Sequence, residues 1–172
     1  YARLVSTNLP VYMRKNVQVS VVGSEAITFN EFTNSLSSPI IMGIINFAPL
    51  NGSIIMELGI NLGYAMLDRM LGGIGMPLEK GRDFSEIEQM IIEKILVMFT
   101  QLLREPWKNV IDIAPVLNRL ETNSQFAHII APSDMVAIVT MEIKKRDVEG
   151  FMNICLPFFT LEDIMDKLNT KY

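Results

Sequence analysis

Gly72, Gly73 and Gly75 fall within four residues, and Leu71-Gly72-Gly73-Ile74-Gly75-Met76-Pro77 is the stretch whose composition most invites a chemical reading. Glycines at this density free the backbone for positive φ, and Pro77 then fixes it again. A phosphate cradle would need a strand before the glycines and a helix directly after them, so that amides at the helix N-terminus meet the anion. Here a helical pattern precedes the glycines, about ten residues separate Gly75 from the next helix start at Ser85, and no Lys-Ser/Thr follows. The nucleotide reading fails. Two readings remain. One is a helix C-cap running into a linker, and the other is a protein-docking loop that offers Ile74 and Met76 as flexible apolar anchors.

Candidate nucleophiles and bases are few. Cys155 sits in a strand-like alternation with Phe151, Asn153 and Leu156 and no acid or base beside it, which reads as a small buried hydrophobe. A single cysteine cannot form an internal disulfide, and that fits a reducing compartment. His128 is the only histidine, so sites that need two are excluded, and it reads as a hydrogen-bonded structural side chain. The carboxylate pairs Glu86/Glu88 and Glu162/Asp163 fall in first turns of helices, where they complement the helix dipole. No catalytic residue, metal site or cofactor is assigned.

The elements around these residues follow from spacing. Ser85 with Glu88 forms a capping box, and Ile87, Met90, Ile91, Ile95, Met98, Phe99 and Leu102 recur with helical period up to Pro106. The spacing predicts a long helix that ends at that proline. Ser53 to Leu58 and Phe151 to Leu156 read as strands, each followed by an amphipathic helix. At one constant offset Ile54, Met56 and Leu58 fall on Met152, Ile154 and Leu156, and Leu67-Asp68-Arg69-Met70 falls on Met165-Asp166-Lys167-Leu168. The chain is therefore an internal duplication.

Upstream, Pro39 to Phe47 and Asp134 to Ile143 are β-branched runs, each closed by a turn, Pro49-Leu50-Asn51-Gly52 in one half and Lys144 to Gly150 in the other, whose charged tip Lys144-Lys145-Arg146-Asp147 reads as solvated loop. Val17 to Val22 and Val110 to Ile113 are further strand candidates, and Tyr1 to Lys15 is the expected partner of the long helix, kinked or started late by Pro10. The unit helix–strand–strand–strand–helix, used twice, predicts an α/β (α+β) domain with pseudo-twofold symmetry. Its strands would form one continuous, mostly antiparallel sheet with long helices packed on one face, unlike a doubly wound fold. A single domain over 1–172 is expected, with halves of about 1–71 and 84–172 joined by a Gly-rich linker, 72–83.

The chain has 172 residues and a formal charge of -4, so a basic stripe for nucleic acid or an anionic membrane is absent. No apolar stretch approaches the roughly 18–20 residues of a membrane span, and no signal peptide is expected. Hydrophobic residues make up 49% of the chain and 12 are methionine, which leaves either an unusually large core or apolar surface reserved for partners. The start at Tyr1, without methionine, reads as a piece of a longer chain.

Leu67-Asp68-Arg69-Met70-Leu71-Gly72-Gly73-Ile74-Gly75, followed by Arg82-Asp83-Phe84-Ser85-Glu86-Ile87-Glu88 and the long helix, resembles the middle domain of the FliM family of flagellar motor switch proteins. The resemblance covers essentially the whole chain, including Ser38-Pro39-Ile40 and Leu156-Pro157-Phe158. It implies a pseudo-symmetric α/β/α domain of the CheC, CheX and FliY class, placed in the switch ring at the cytoplasmic face of the inner membrane. It further implies docking on FliG through Gly72, Gly73, Ile74, Gly75, Met76 and Pro77 and lateral contacts with neighbouring FliM copies; on physical grounds, motion on reversal is expected to concentrate at the glycines. The family's segment for phosphorylated CheY and its FliN-like C-terminal domain have no match here. What remains is a weak, secondary CheY contact, with FliN reached only through the missing domain.

The CheC relatives bring in an enzyme alternative, dephosphorylation of CheY. Their motif places an Asp or Ser, a Glu four residues on and an Asn three further along one exposed helix face, with the Asn orienting the attacking water. The aligned positions here are Gln89, Glu93 and Leu96. Leu96 has no polar group to orient water, and Tyr1 to Lys15 supplies Asn8 without a glutamate. The resemblance therefore implies a binding module rather than an enzyme.

Overall fold

Six runs rich in β-branched and other apolar residues form the strands of one sheet: β1 (Gln18–Thr28), β2 (Ile41–Asn46), β3 (Ser53–Leu58), β4 (Val116–Glu121), β5 (Met135–Lys145) and β6 (Val148–Pro157). Between them lie α1 (Phe29–Asn34), α2 (Ile60–Met70), α3 (Glu86–Gln101) and α4 (Arg104–Trp107), with α5 (Phe158–Leu161) after β6. The computed structural model describes residues 1, 2, 4, 18–36, 40–71, 84–108, 110–145 and 148–165. The expected helix from Tyr1 to Lys15 lies outside the described residues except for Tyr1, Ala2 and Leu4. Ser38-Pro39 and segment 72–83 lie wholly outside them.

The strand order is β1-β5-β6-β3-β2-β4, and every neighbouring pair is antiparallel. The duplicated units are interleaved. The first strand of each half pairs with the second strand of the other half, and the third strands meet in the middle. Met56 and Ile154, equivalent by the duplication, stand directly opposite each other on β3 and β6, so the pseudo-twofold axis passes between them. The outer strands repeat the relation in detail. Val22 on β1 and Asn118 on β4 are each left over where the register shifts, and the pair Val21 with Met141 in one half answers Leu117 with Ile45 in the other. Each half thus bends its outer strand with a bulge at the same place.

Both faces of the sheet are buried at its central strands, which explains why β2 reads as an unbroken apolar run rather than an alternation. Ile41, Ile45, Ile54, Met56, Met152 and Ile154 face a core closed by Leu62, Met66, Ile92, Ile95, Leu96 and Phe99 of α2 and α3. Met42, Ile44, Ile55, Ile138 and Cys155 face a second core closed by Phe29 and Phe32 of α1 and by Ala127. Among the described helices, α2 and α3 share one face. The other face, which the sequence left open, is covered by α1 and the connection from β4 to β5. Close helix–sheet approach depends on Gly63 of α2, where an added Cβ would collide with the Ile41 side chain. Gly52 closes the β2–β3 turn at φ +89, in the region that favours glycine.

Four local expectations change. Val110 to Ile113 is not a strand: the amides of Val110 and Ile111 bond the Trp107 carbonyl at 2.9 and 2.8 Å, and Ile113 plugs the core. Pairing with β2 begins only at Val116. The long helix stops at Gln101, before Pro106, which sits in the separate turn α4. A proline is tolerated in a first turn because its missing N–H has no helical partner there. The turn expected from Lys144 to Gly150 is strand in its described residues, with Lys144 paired to Glu149 and Lys145 to Val148, while Arg146 and Asp147 of the charged tip lie outside them. On α3, Ile87 and Met90 are 70% and 63% exposed, and Ile92, Ile95, Leu96 and Phe99 make the buried face.

The capping box is formed as expected. The Glu88 amide donates to Ser85 Oγ at 3.2 Å and the Ser85 amide donates to Glu88 Oε1 at 2.9 Å. Ser85→Ala is expected to lower stability by about 1 kcal/mol in urea unfolding, and Ser85→Asp to restore most of it. An unchanged midpoint for the alanine variant would show that burial of Phe84 alone holds this helix start.

Candidate docking surface

Segment 72–83, with Gly72, Gly73, Ile74, Gly75, Met76 and Pro77, lies outside the described residues, but both of its anchors are within them. The chain leaves α2 at Leu71, whose amide donates to the Leu67 carbonyl at 3.1 Å. It returns at Phe84, which is buried with its ring 4.9 Å from that of Tyr64 on α2. Gln89 Nε2 donates to the Phe84 carbonyl at 3.2 Å and ties this return to the first turns of α3. The two ends are therefore held on the packed α2–α3 pair.

The surface at these anchors includes exposed apolar side chains. Leu71 is 61% exposed, and on α3 Ile87, Met90 and Val97 project outward at helical spacing. Glu86, Glu93 and Lys94 are exposed on the same helix. Scattered exposed apolar residues need no explanation, but a helix stripe next to an exposed helix end is the pattern of a contact surface.

The aligned phosphatase positions separate on this helix. Glu93 is exposed and Gln89 half-buried with its amide engaged, whereas Leu96 is buried, its methyl 3.4 Å from where a Cβ on Gly43 would stand. A side chain at 96 points into the core, away from solvent, so these positions do not form one exposed triad. Cys155 is fully buried as expected, and burial pushes its thiol up to about 12. His128 departs from expectation: it is exposed, at the rim of a cavity of about 170 Å3 between α1 and the β4–β5 connection. Among the described residues no group of three or more His, Cys, Asp or Glu could hold a metal ion, and no helix is long and apolar enough to cross a membrane.

Sequence reasoning missed one polar cluster. Glu57, on the central strand, is only 8% exposed. Asn153 Nδ2 donates to Glu57 Oε2 at 2.8 Å, and Thr140 Oγ1 donates to Asn153 Oδ1 at 2.6 Å. Burial raises the Glu57 carboxyl above its ordinary value of 4.5, and the Asn153 hydrogen bond opposes this less strongly. A carboxylate inside the apolar run Ile54 to Leu58 was the visible signal.

Because the folded state favours the protonated acid, this group's stabilising contribution is complete below pH 4.5 and is lost as pH rises through its raised folded value. Glu57→Gln keeps an acceptor for Asn153 without a charge. Its melting temperature is expected to match the parent protein in acid and to exceed it at neutral pH. A variant less stable at neutral pH would show that the ionised form is the favoured one.

A family model described as "Flagellar motor switch protein FliM" matches residues 1–172. Curated proteins of that name are similar over the whole chain, 40% identical in Borreliella burgdorferi and 37% in Treponema pallidum. The chain spans about half the length of these relatives, 49% and 50%. Among solved structures, a FliG–FliM complex from H. pylori is similar at TM-score 0.92 and 30% identity, over 96% of this chain and 91% of that one. A CheC-like superfamily protein from a Shewanella species shares the fold at 14% identity and TM-score 0.55, over 88% of this chain and 90% of that one.

Proposed function

The chain belongs to the FliM family of flagellar motor switch proteins, and from that premise we propose that it is a non-catalytic adhesive module of the switch ring. It docks on FliG through Gly72, Gly73, Ile74, Gly75, Met76 and Pro77 and contacts neighbouring copies of itself laterally. It works at the cytoplasmic face of the inner membrane, on the flagellar basal body. FliN is reached through a further domain of the longer protein, and contact with phosphorylated CheY is weak and secondary. Glycines at 72, 73 and 75 let the docking segment change direction on a rigid sheet, so that the chemotaxis signal is passed on as a change of tilt.

The observation that carries this reading is the apolar frame around segment 72–83: Leu71 at one end and Ile87 and Met90 just past the other, all more than half exposed. The likeness to a FliM chain crystallised with FliG supports the choice of partner. Leu96 speaks against catalysis, since the position that would orient water is a core leucine.

Ile74→Asp and Ile87→Asp, measured separately against the middle domain of FliG, are each expected to weaken binding by about tenfold or more. Ile87 is exposed, so its variant should melt as the parent does. Unchanged affinity in both would remove the docking assignment. Phosphate release from phosphorylated CheY should proceed at the same rate with and without this protein, whereas a clear acceleration would bring the enzyme reading back.

A further inference from the structure

Val136 pairs with Pro157 where β5 begins and β6 ends, so Met135 and Phe158 emerge side by side at that end of the two strands. There Asp134, Met135, Phe158, Phe159, Glu162 and Met165 line a groove of about 440 Å3. Phe159 is 55% exposed, and Met135, Phe158 and Met165 are 39% each. Their outward direction is built in. Thr160, Leu161 and Ile164 of the same short helical stretch are buried, which turns the other residues toward solvent. Phe159 also rests against the β2–β3 turn, its ring 3.5 Å from where a Cβ on Gly52 would lie.

The groove is apolar in its walls and acidic at its margin. Asp134 and Glu162 line it, Asp163 is exposed beside Glu162, and among the described residues no lysine or arginine lines it. Among the described residues neither Asp134 nor Glu162 has an ion-pair partner. Carboxylates repel anionic phospholipid, so a membrane surface is the wrong occupant. A second copy offering its exposed α3 stripe is also disfavoured, because that stripe brings Glu86 and Glu93 against a single Lys94. Methionine and phenylalanine walls accept an apolar helix face, and the carboxylates at the rim select for cations beside it.

We propose that this groove docks an amphipathic helix of a partner protein that carries lysine or arginine along the border of its apolar stripe. The site uses none of the residues assigned to FliG and so stands or falls separately from that reading.

The probe is a helical peptide with leucine on one face and lysine on the others, titrated into the protein labelled at its methionine methyl groups and followed by NMR. The Met135 and Met165 signals are expected to shift while Met90 on α3 stays in place, with binding that weakens as salt is added. Glu162→Lys and Phe159→Ser, both at exposed positions, should each reduce affinity about tenfold with the melting temperature retained. A counterpart peptide with glutamate for lysine should not bind. The proposal is overturned if neither peptide binds, if both bind alike, or if Met90 shifts in place of Met135 and Met165. It is equally overturned if the groove signals move with protein concentration alone, which identifies a second copy. Binding seen only after removal of residues 166–172 would make the chain's own tail the occupant and overturn it as well.

Discussion

Strands β3 and β6 lie side by side at the middle of the sheet, and each other element is placed by what that pair must bury. Where the two strands pair, both faces carry apolar side chains that must be covered, since Ile54, Met56, Met152 and Ile154 point one way and Ile55 and Cys155 the other. Covering one face requires the α2–α3 layer, and covering the other requires the two crossovers, α1 and the β4–β5 connection. Interleaving follows from the same need. If each half kept its strands to itself, its outer strand would leave a long unpaired edge beside its own hairpin, whereas exchange leaves only β1 and β4 as edges. Both of these carry a bulge.

The duplication fixes geometry more strictly than chemistry. Across the axis, Glu57 occupies the place of Cys155, Asn153 that of Ile55, and Thr140 that of Ile44. One row across the sheet is therefore a hydrogen-bonded polar chain and its symmetry mate is an apolar row sealed under α1. A buried carboxyl raised by desolvation costs stability unless it is paired, and the Asn153 amide meets part of that need. Two such different rows on one backbone show that the scaffold tolerates substitution at paired central positions as long as hydrogen bonds or packing are completed locally.

Exposed apolar side chains are not spread evenly over the molecule. Leu71, Ile87 and Met90 frame segment 72–83, and Met135, Phe158, Phe159 and Met165 gather at the start of β5 with α5, while Val21, Val22, Val116, Phe126 and Phe151 are exposed elsewhere. Both places lie where the sheet's own requirements are already met, so their apolar residues are free to serve contacts with other proteins. The methionine-rich composition is divided accordingly: Met42, Met56, Met66, Met141 and Met152 fill the interior, and Met90, Met135 and Met165 face outward.

Elements whose identity depends on neighbours in sequence were legible without coordinates. The Ser85–Glu88 box, the β3 and β6 alternations, the Gly52 turn and the duplication itself all follow from short-range spacing, because caps, pleats and turns are satisfied within a few residues. Position in the sheet was not legible, since pairing of β1 with β5 or β2 with β4 joins residues 70 to 126 positions apart through backbone groups that carry no side-chain signature. The same limit hid which apolar residues of α3 face water, for Ile87 and Ile92 are equally hydrophobic and differ only in what lies opposite. By itself, then, the sequence determined a duplicated α/β chain of helices and strands with a glycine-rich connection. Only tertiary packing decided which strands exchange, which face is closed by crossovers, and which greasy side chains remain outside, because burial is a property of the partner surface rather than of the residue.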